Sequence, residues 1–279
     1  MTRNIPKDVK RTLRKEVNFG CPINGCGSPY LSYHHFNPPW HIQEHHNPEG
    51  MIALCLEHHK QADNGAFTDD QLKILKEKPF LKLRDKVNGQ FNWKREHLIF
   101  LIGGNVYLGS QEIYIYEKEK FIWLTNDEYN NTLLNFEIKS RNGFAVFSMR
   151  DNDWIISSDF DDIESIPSSK NLVFTSQKEQ INIRIEFNTL SKAEFYTKYK
   201  EIIPDKWQVQ IFQMIMGDLI TICNVNGNLV FPFEILLEKN SAKINGTGKN
   251  LKIMGFEMID MKEIKLQKCF SVGSSVIAK

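Results

Sequence analysis

The chain has 279 residues, 41% of them hydrophobic and 25% charged, enough to bury a sizeable core in one large or two ordinary domains. A formal net charge of +1 argues against a general polyanion binder, and the chain has no apolar run of about 18 residues that would predict a membrane-spanning helix. The first residues lack the apolar stretch of a signal peptide, so we expect a cytoplasmic protein with no membrane partner.

The first predicted element is a helix within residues 1–20. Val9, Leu13 and Val17 recur at helical spacing and predict an inward face. Basic residues outnumber acidic ones here by six to two, and they are Arg3, Lys7, Lys10, Arg11, Arg14 and Lys15. They predict a modest phosphate-contacting patch, although the solvated face of a packed helix is compatible with the same pattern.

A cluster of metal-ligating residue types follows. Three of the five cysteines and seven of the eight histidines fall between residues 21 and 59. Cys21 and Cys26 flank a turn, while Cys55 and His58 lie three residues apart at the start of a predicted helix. In a reducing compartment this set suits metal ligation better than disulfides, and it predicts a closed Cys3His site for a structural zinc ion. The alternative is three buried thiols and a histidine on the helix surface.

The order of these motifs along the chain resembles that of a known protein family. In chain order they are the pair Cys21 and Cys26, the doublet His34-His35, the apolar strand Met51 to Leu54, and the segment Cys55-x-x-His58-His59. Over about residues 15–65 this arrangement resembles the HNH nuclease family. The resemblance implies a zinc-stabilised ββα-metal module that hydrolyses DNA.

The resemblance also implies roles for individual residues. His34 corresponds to the first ligand of a catalytic divalent ion, with Mg²⁺ or Mn²⁺ expected foremost, and His59 corresponds to the second ligand. His35 corresponds to the general base, which takes a proton from the attacking water. Asp63 lies one helical turn after His59, where it could reach the same ion or could cap the end of a short helix.

The sequence departs from the family pattern at one position. Gly50 stands where the family often carries a polar residue, usually asparagine, that orients the base. We predict that Asn47 replaces it by bracing the loop across from His35. The alternative is that Asn47 only initiates the turn before Pro48.

The loop between the doublet and the apolar strand also holds Trp40, His41, His45 and His46. Most of these histidines are not predicted to be ligands. A loop that carries several imidazoles and a tryptophan could meet the nucleic-acid backbone or stack on an exposed base. The alternative for Trp40 is an anchor of a small core.

The first module is predicted to close near residue 80. Thr68 and Gln71 have the spacing of a capping box and predict a short helix that ends before Pro79. This defines an HNH module over residues 1–80 and a connector over residues 81–97.

The remainder, residues 98–279, is predicted to be a β-rich domain for target binding, partner binding or regulation. Apolar residues alternate over 112–117 and 181–187, and a helix is predicted at 192–200. The turn signals are Gly103-Gly104, Asn142-Gly143, Asn226-Gly227 and Asn245-Gly246. Solvated loop charges are predicted at Asp159, Asp161 and Asp162. A sandwich, a barrel and an irregular solenoid all remain open.

Together these patterns predict an α+β protein in which a small ββα-metal module precedes a larger, mostly-β domain. The favoured function is a metal-dependent DNA endonuclease, of the kind found in restriction or phage defence, and its partner would be DNA. An activating partner protein or a second copy of the chain is a further hypothesis. The alternative is a non-catalytic zinc module that binds nucleic acid or protein, but such a module has no use for His34, His35 and His59.

Overall fold

The structure is a computed structural model. It describes residues 4–80, 84–103, 105–109, 111–116, 119–201, 203, 205–230, 234–238, 242–245, 251–253, 256–258, 263–266, 270–272 and 275–277. Of residues 111, 116 and 207, and of those from 243 onward, only the backbone is described.

The described elements are mostly strands. The helices are α1 (Lys7–Glu16), α2 (Leu56–Asp63), α3 (Asp69–Glu77), α4 (Lys192–Tyr199) and α5 (Asp205–Met214). The strands up to residue 177 are β1 (Leu31–His35), β2 (Met51–Cys55), β3 (Lys86–Gln90), β4 (Ile99–Ile102), β5 (Asn105–Leu108), β6 (Gln111–Tyr116), β7 (Glu119–Asn126), β8 (Thr132–Lys139), β9 (Ala145–Arg150), β10 (Asp153–Ser157), β11 (Asp162–Glu164) and β12 (Asn171–Ser176). The later strands are β13 (Ile181–Ser191), β14 (Leu219–Leu229), β15 (Glu234–Leu237), β16 (Ala242–Asn245), β17 (Leu251–Ile253), β18 (Phe256–Met258), β19 (Glu263–Leu266), β20 (Phe270–Val272) and β21 (Ser275–Ile277). The predicted α+β class with a majority of strand is confirmed.

The chain divides into two compact units. The first comprises Met1–Gly89 and Ile155–Gln177, and the second comprises Gln90–Trp154 and Lys178–Lys279. The sequence prediction had assigned residues 155–177 to the β-rich domain. The predicted connector over 81–97 contains strand β3 in its described part.

The first unit is built around a hairpin followed by a helix. Strands β1 and β2 pair antiparallel in a register that places His34 opposite Ile52 and His35 opposite Met51. Every residue of β2 is buried, and α2 begins directly after it at Leu56. The hairpin and helix share one hydrophobic core with α1 and α3. The strand that carries the histidine doublet is therefore fixed from several sides.

Helix α1 has the predicted inward face, because Leu13 and Val17 are fully buried. Arg14, however, does not belong to an exposed patch: its side chain is 4% exposed. Its Nη2 donates to Oδ2 of Asp162 at 2.6 Å, and its Nη1 donates to the hydroxyl of Tyr33 at 2.7 Å. The predicted phosphate-contacting role is wrong for Arg14, because its charge is already neutralised within the first unit.

Asp162 is correspondingly not a solvated loop charge, since it lies in strand β11 and its side chain is 18% exposed. Asp161 accepts from the backbone N–H of Gln177 at 2.6 Å. Asp159 accepts from the hydroxyl of Ser157. The prediction of solvated loop charges is therefore wrong for Asp162, whereas Asp159 is exposed in a turn, as predicted, and Asp161 is half-buried in a bend.

Helix α3 has the predicted capping box. The Thr68 hydroxyl accepts from the Gln71 N–H at 3.2 Å, and the Gln71 side chain accepts from the Thr68 N–H at 2.9 Å. From the last turn of this helix, Lys76 donates to the carbonyls of Pro48 and Met51. Helix α3 thereby anchors the short 3₁₀ turn Pro48–Gly50 that leads into β2.

In the described part of the second unit, most strand pairs are antiparallel and two are parallel. Strands β6, β7, β8 and β9 form an antiparallel meander, and the long strands β13 and β14 pair antiparallel. The parallel pairs are β14 with β4 and β20 with β5. The predicted helix near 192–200 is confirmed as α4, which packs with α5 on an apolar cluster containing Phe195 and Ile211.

Two local predictions in this unit were wrong, although the alternation along β13 is confirmed. Asn226-Gly227 is not a turn but lies inside β14, where a Cβ at Gly227 would approach the carbonyl oxygen of Asn182 to 1.8 Å. Glycine is needed there for a close backbone approach rather than for a reversal. Ile113 and Tyr114 are both buried because a register irregularity interrupts the pairing of β6 with β7. Gly104 and Gly246, parts of two predicted turns, lie outside the described residues.

Within the described part of the chain, no helix combines the length and the hydropathy needed to cross a membrane.

Candidate functional site

Three cysteines and one histidine meet beside the β1–β2 hairpin. Cys21 and Cys26 lie on a tight loop closed by the Cys26 N–H donating to Ile23 and the Gly27 N–H donating to Cys21. Cys55 ends β2, and His58 follows on the first turn of α2. The four ligand atoms lie within 4.8 Å of one another, so the cluster could hold a metal ion.

The distances between the donor atoms of this cluster match those of a tetrahedral metal site. The sulfurs of Cys26 and Cys55 are 3.8 Å apart, and Nδ1 of His58 lies 3.4 Å from the Cys21 sulfur and 3.1 Å from the Cys55 sulfur. Around a zinc ion with Zn–S bonds of about 2.3 Å, tetrahedral geometry places two sulfurs about 3.8 Å apart. Burial raises the pKa of the Cys21 and Cys55 thiols, so a bound cation would have to displace their protons.

The second donor cluster consists of His34 on β1 and of His59 and Asp63 on α2. Oδ1 of Asp63 is 3.1 Å from Nδ1 of His34 and 3.6 Å from Nε2 of His59. Metal–ligand bonds of about 2.1 Å place neighbouring donors about 3.0 Å apart in an octahedron and about 3.4 Å apart in a tetrahedron. The three groups are therefore spaced as ligands of one ion would be. At the end of α2, the side chain of Asn64 donates to the Lys60 carbonyl.

Ser32 contacts both the Leu54 carbonyl and His59. Its hydroxyl oxygen lies 3.1 Å from the carbonyl oxygen of Leu54 and 2.8 Å from Nδ1 of His59. When the hydroxyl donates to Leu54 it accepts from Nδ1 of His59, and this tautomer presents the unprotonated Nε2, the His59 atom 3.6 Å from Asp63. Burial, opposed by Asp63, lowers the pKa of His34, which favours the neutral ring that a metal ligand must have.

His35 has different surroundings from its neighbour His34. Its Nε2 lies 3.0 Å from the carbonyl oxygen of His45, which can only accept, so the His35 proton sits on Nε2 and Nδ1 is left basic. Burial, together with the nearby His45 ring, lowers the pKa of His35 to about 4. At neutral pH the ring is therefore uncharged, and a pKa this low makes it a weaker base than an ordinary histidine.

His45 organises the loop that orients His35. Its buried ring donates from Nε2 to the carbonyl of Pro38 at 2.8 Å and accepts at Nδ1 from the N–H of Asn47 at 3.1 Å. Asn47 itself caps the 3₁₀ turn through its side chain, which accepts from the Glu49 N–H at 3.2 Å. The bracing role predicted for Asn47 therefore falls to His45, and Asn47 has the turn-initiating role that was its alternative.

None of the protein-family models, curated proteins or solved structures compared with this chain matches it. The functional argument consequently rests on the geometry of the two donor clusters, His35 and the adjoining cavity.

That cavity, about 510 Å³ in volume, opens onto the second donor cluster. His34, His35, Trp40, His59 and Asp63 all line it. The cavity is thus placed to bring a ligand against both the donor cluster and the candidate base.

The space around Gly50 explains why glycine occupies this position. A Cβ at this position would lie 1.8 Å from the carbonyl oxygen of Asn37 and 3.0 Å from Cε1 of His45. No side chain, asparagine included, fits without moving the loop. We predict that Gly50→Ala lowers the free energy of unfolding by about 1–3 kcal/mol, the usual cost of forcing extra atoms into a packed site, in a urea titration of the full chain.

The matched control for this variant is Glu49→Ala, which changes an exposed neighbour and leaves the backbone N–H that Asn47 caps. It should unfold at nearly the wild-type urea concentration. Equal stability of Gly50→Ala and wild type would show that the Asn37 carbonyl can move away at little cost, contrary to the close approach seen here.

Proposed function

We propose that the chain is a metal-dependent nuclease with an HNH-type site that hydrolyses phosphodiester bonds in DNA. One observation carries the proposal: His34, His59 and Asp63 converge as potential ligands, while the adjacent His35, held through Nε2 by the His45 carbonyl, lines the same cavity. A module that only bound zinc would need no second donor set and no oriented, uncharged histidine beside it.

The Cys3His cluster is proposed to hold a structural zinc ion. Thiolate and imidazole ligands in a closed tetrahedron are the donor set of such sites. Because Cys55 ends β2 and His58 begins α2, the ion would fasten the helix that carries His59 to the hairpin that carries His34. A zinc ion in the Cys3His cluster would thereby fix the positions of the residues of the second donor cluster.

In the second cluster, His34, His59 and Asp63 would hold a divalent ion, with Mg²⁺ or Mn²⁺ expected foremost. Such an ion, when bound, supplies Lewis-acid stabilisation of the charge on the phosphate and the leaving oxygen. His35 accepts the proton of the attacking water at Nδ1, while the His45 carbonyl holds the ring through Nε2. Ser32 keeps His59 in the tautomer that presents Nε2.

Hydrolysis is tested by incubating the purified full chain with supercoiled plasmid in Mg²⁺, in Mn²⁺ and with a chelator. We expect nicked and linear products with the metals and none with the chelator. The double variant His34→Ala/His59→Ala should lose this activity, whereas His97→Ala, a histidine of the second unit, should retain it.

An intact plasmid under every metal condition, with single-stranded DNA and RNA also uncut, would contradict the nuclease proposal. The alternative of a non-catalytic zinc module would then be favoured.

A further inference from the structure

The cavity beside the donor cluster has a composition that is unusual for a surface that receives a polyanion. Apolar and aromatic side chains form much of its lining, among them Ile5, Phe36, Trp40 and Phe67. Two carboxylates, those of Asp63 and Asp69, also line it, and none of the described lining residues is lysine or arginine. Its described lining therefore contains no permanently charged cation that would neutralise a phosphate backbone.

Trp40 is available to a ligand rather than used in the core. It is half-buried and lines the cavity, and the buried core of this unit is formed by other side chains. His46 stacks on it, with ring centroids 5.3 Å apart and planes inclined by 24°. The His35 ring lies 4.9 Å from it at a tilt of 59°. The indole is thus held in a fixed orientation directly beside the candidate base.

We infer that this cavity receives an unpaired nucleobase of the substrate and stacks it on Trp40. The inference rests on the proposed nuclease function and names its substrate class: single-stranded nucleic acid, or a strand with a base out of the helical stack. A volume of about 510 Å³ lies within the range of sites that enclose a small molecule or a single group of a larger one.

A base that remains stacked within duplex DNA cannot also stack on Trp40 in this cavity. In a paired helix both faces of each base are covered by its neighbours, so the Trp40 ring can stack on a base face only after that base leaves the stack. Stacking is tolerant of sequence because every base has a π-face. With two carboxylates and no lysine or arginine lining the cavity, stacking rather than charge contributes the local affinity, and Trp40 places the adjoining phosphodiester near His35.

The inference is tested by fluorescence anisotropy of a labelled oligothymidylate of about 12 nucleotides, within the usual site size for single strands. The full chain is titrated in Ca²⁺ with the oligothymidylate and with an equally long duplex. We expect the single strand to bind more tightly. Trp40→Ala should weaken that binding roughly 5- to 100-fold, the usual loss for one stacked base, and leave duplex binding unchanged.

Two further variants separate stacking from packing. Trp40→Leu keeps apolar volume but has no π-face, so it should lose affinity as Trp40→Ala does, whereas Trp40→Phe should keep most of it. Trp123→Ala removes another half-buried tryptophan, on β7 of the second unit, and should bind as the wild type does. Circular dichroism of each variant checks the fold independently of binding.

Wild-type affinity in Trp40→Leu, a loss equally large in Trp123→Ala, or tighter binding of the duplex would each overturn the inference. The outcome is separate from that of the proposed function. Plasmid cleavage together with wild-type binding by Trp40→Leu would retain the nuclease and remove the stacking site. Trp40-dependent binding by a chain that cuts no nucleic acid would do the reverse.

Discussion

Replacing Cys55 with serine is expected to release the proposed zinc ion and to unfold the first unit locally. The Cys55 sulfur lies 3.8 Å from that of Cys26 and 3.1 Å from Nδ1 of His58, so its loss opens the tetrahedron at the junction of β2 and α2. Zinc contributes on the order of 10 kcal/mol or more to folding in small zinc domains. Elemental analysis of chelator-washed protein should fall from about one zinc per chain to a small fraction of that.

Cys223→Ser is the matched control, because Cys223 is also a buried free thiol but lies in β14 of the second unit. It should keep its zinc. Hydrogen exchange should show lost protection around β1, β2 and α2 in Cys55→Ser only. A wild-type chain that is folded and free of zinc after washing would contradict the structural half of the proposal.

The parts of the site that follow from local spacing could be predicted from the sequence. Cys55 and His58 are three residues apart at a helix start, and His59 and Asp63 are four apart on one helix face, so each pair is brought together by the helix alone. The capping box at Thr68 is local in the same sense. These predictions needed no knowledge of the rest of the fold.

The parts that depend on backbone carbonyls and distant pairings could not. His45 orients His35 through its main-chain oxygen, which every residue possesses, so no side-chain pattern marks it. Ser32 had a weak signal, because it lies two residues before His34 and shares its face of β1. Arg14 reaches Asp162 across 148 positions of sequence, and only the fold brings residues 155–177 into the first unit.

The loop around Gly50 shows why a family pattern alone can mislead. The expected asparagine is absent because the Asn37 carbonyl occupies the space that its Cβ would need. From the sequence, the side chain of Asn47 was predicted to brace the loop in its place. The structure gives the orienting role to His45 instead, whose ring ties Pro38 to Asn47. A different residue can orient the same ring when the backbone path of the loop differs.

Replacing His35 with alanine is expected to lower the rate of phosphodiester hydrolysis by about 10²- to 10⁴-fold, the usual contribution of a positioned general base. His35 is not among the converging donors His34, His59 and Asp63, so the variant should still bind the divalent ion. Single-turnover cleavage gives the rate, and titration of Mn²⁺ followed by electron paramagnetic resonance gives the metal affinity.

His59→Ala is the informative comparison, because it removes a proposed ligand and leaves the base. It should weaken Mn²⁺ binding, and part of its lost activity should return at high metal concentration. Both variants should keep the structural zinc, since neither residue belongs to the Cys3His cluster. Cleavage by His35→Ala at the wild-type single-turnover rate would remove His35 as the base. Release of zinc from His59→Ala but not from His58→Ala would instead exchange the roles of the two adjacent histidines, because the ring that faces Cys21 and Cys55 would then be that of His59.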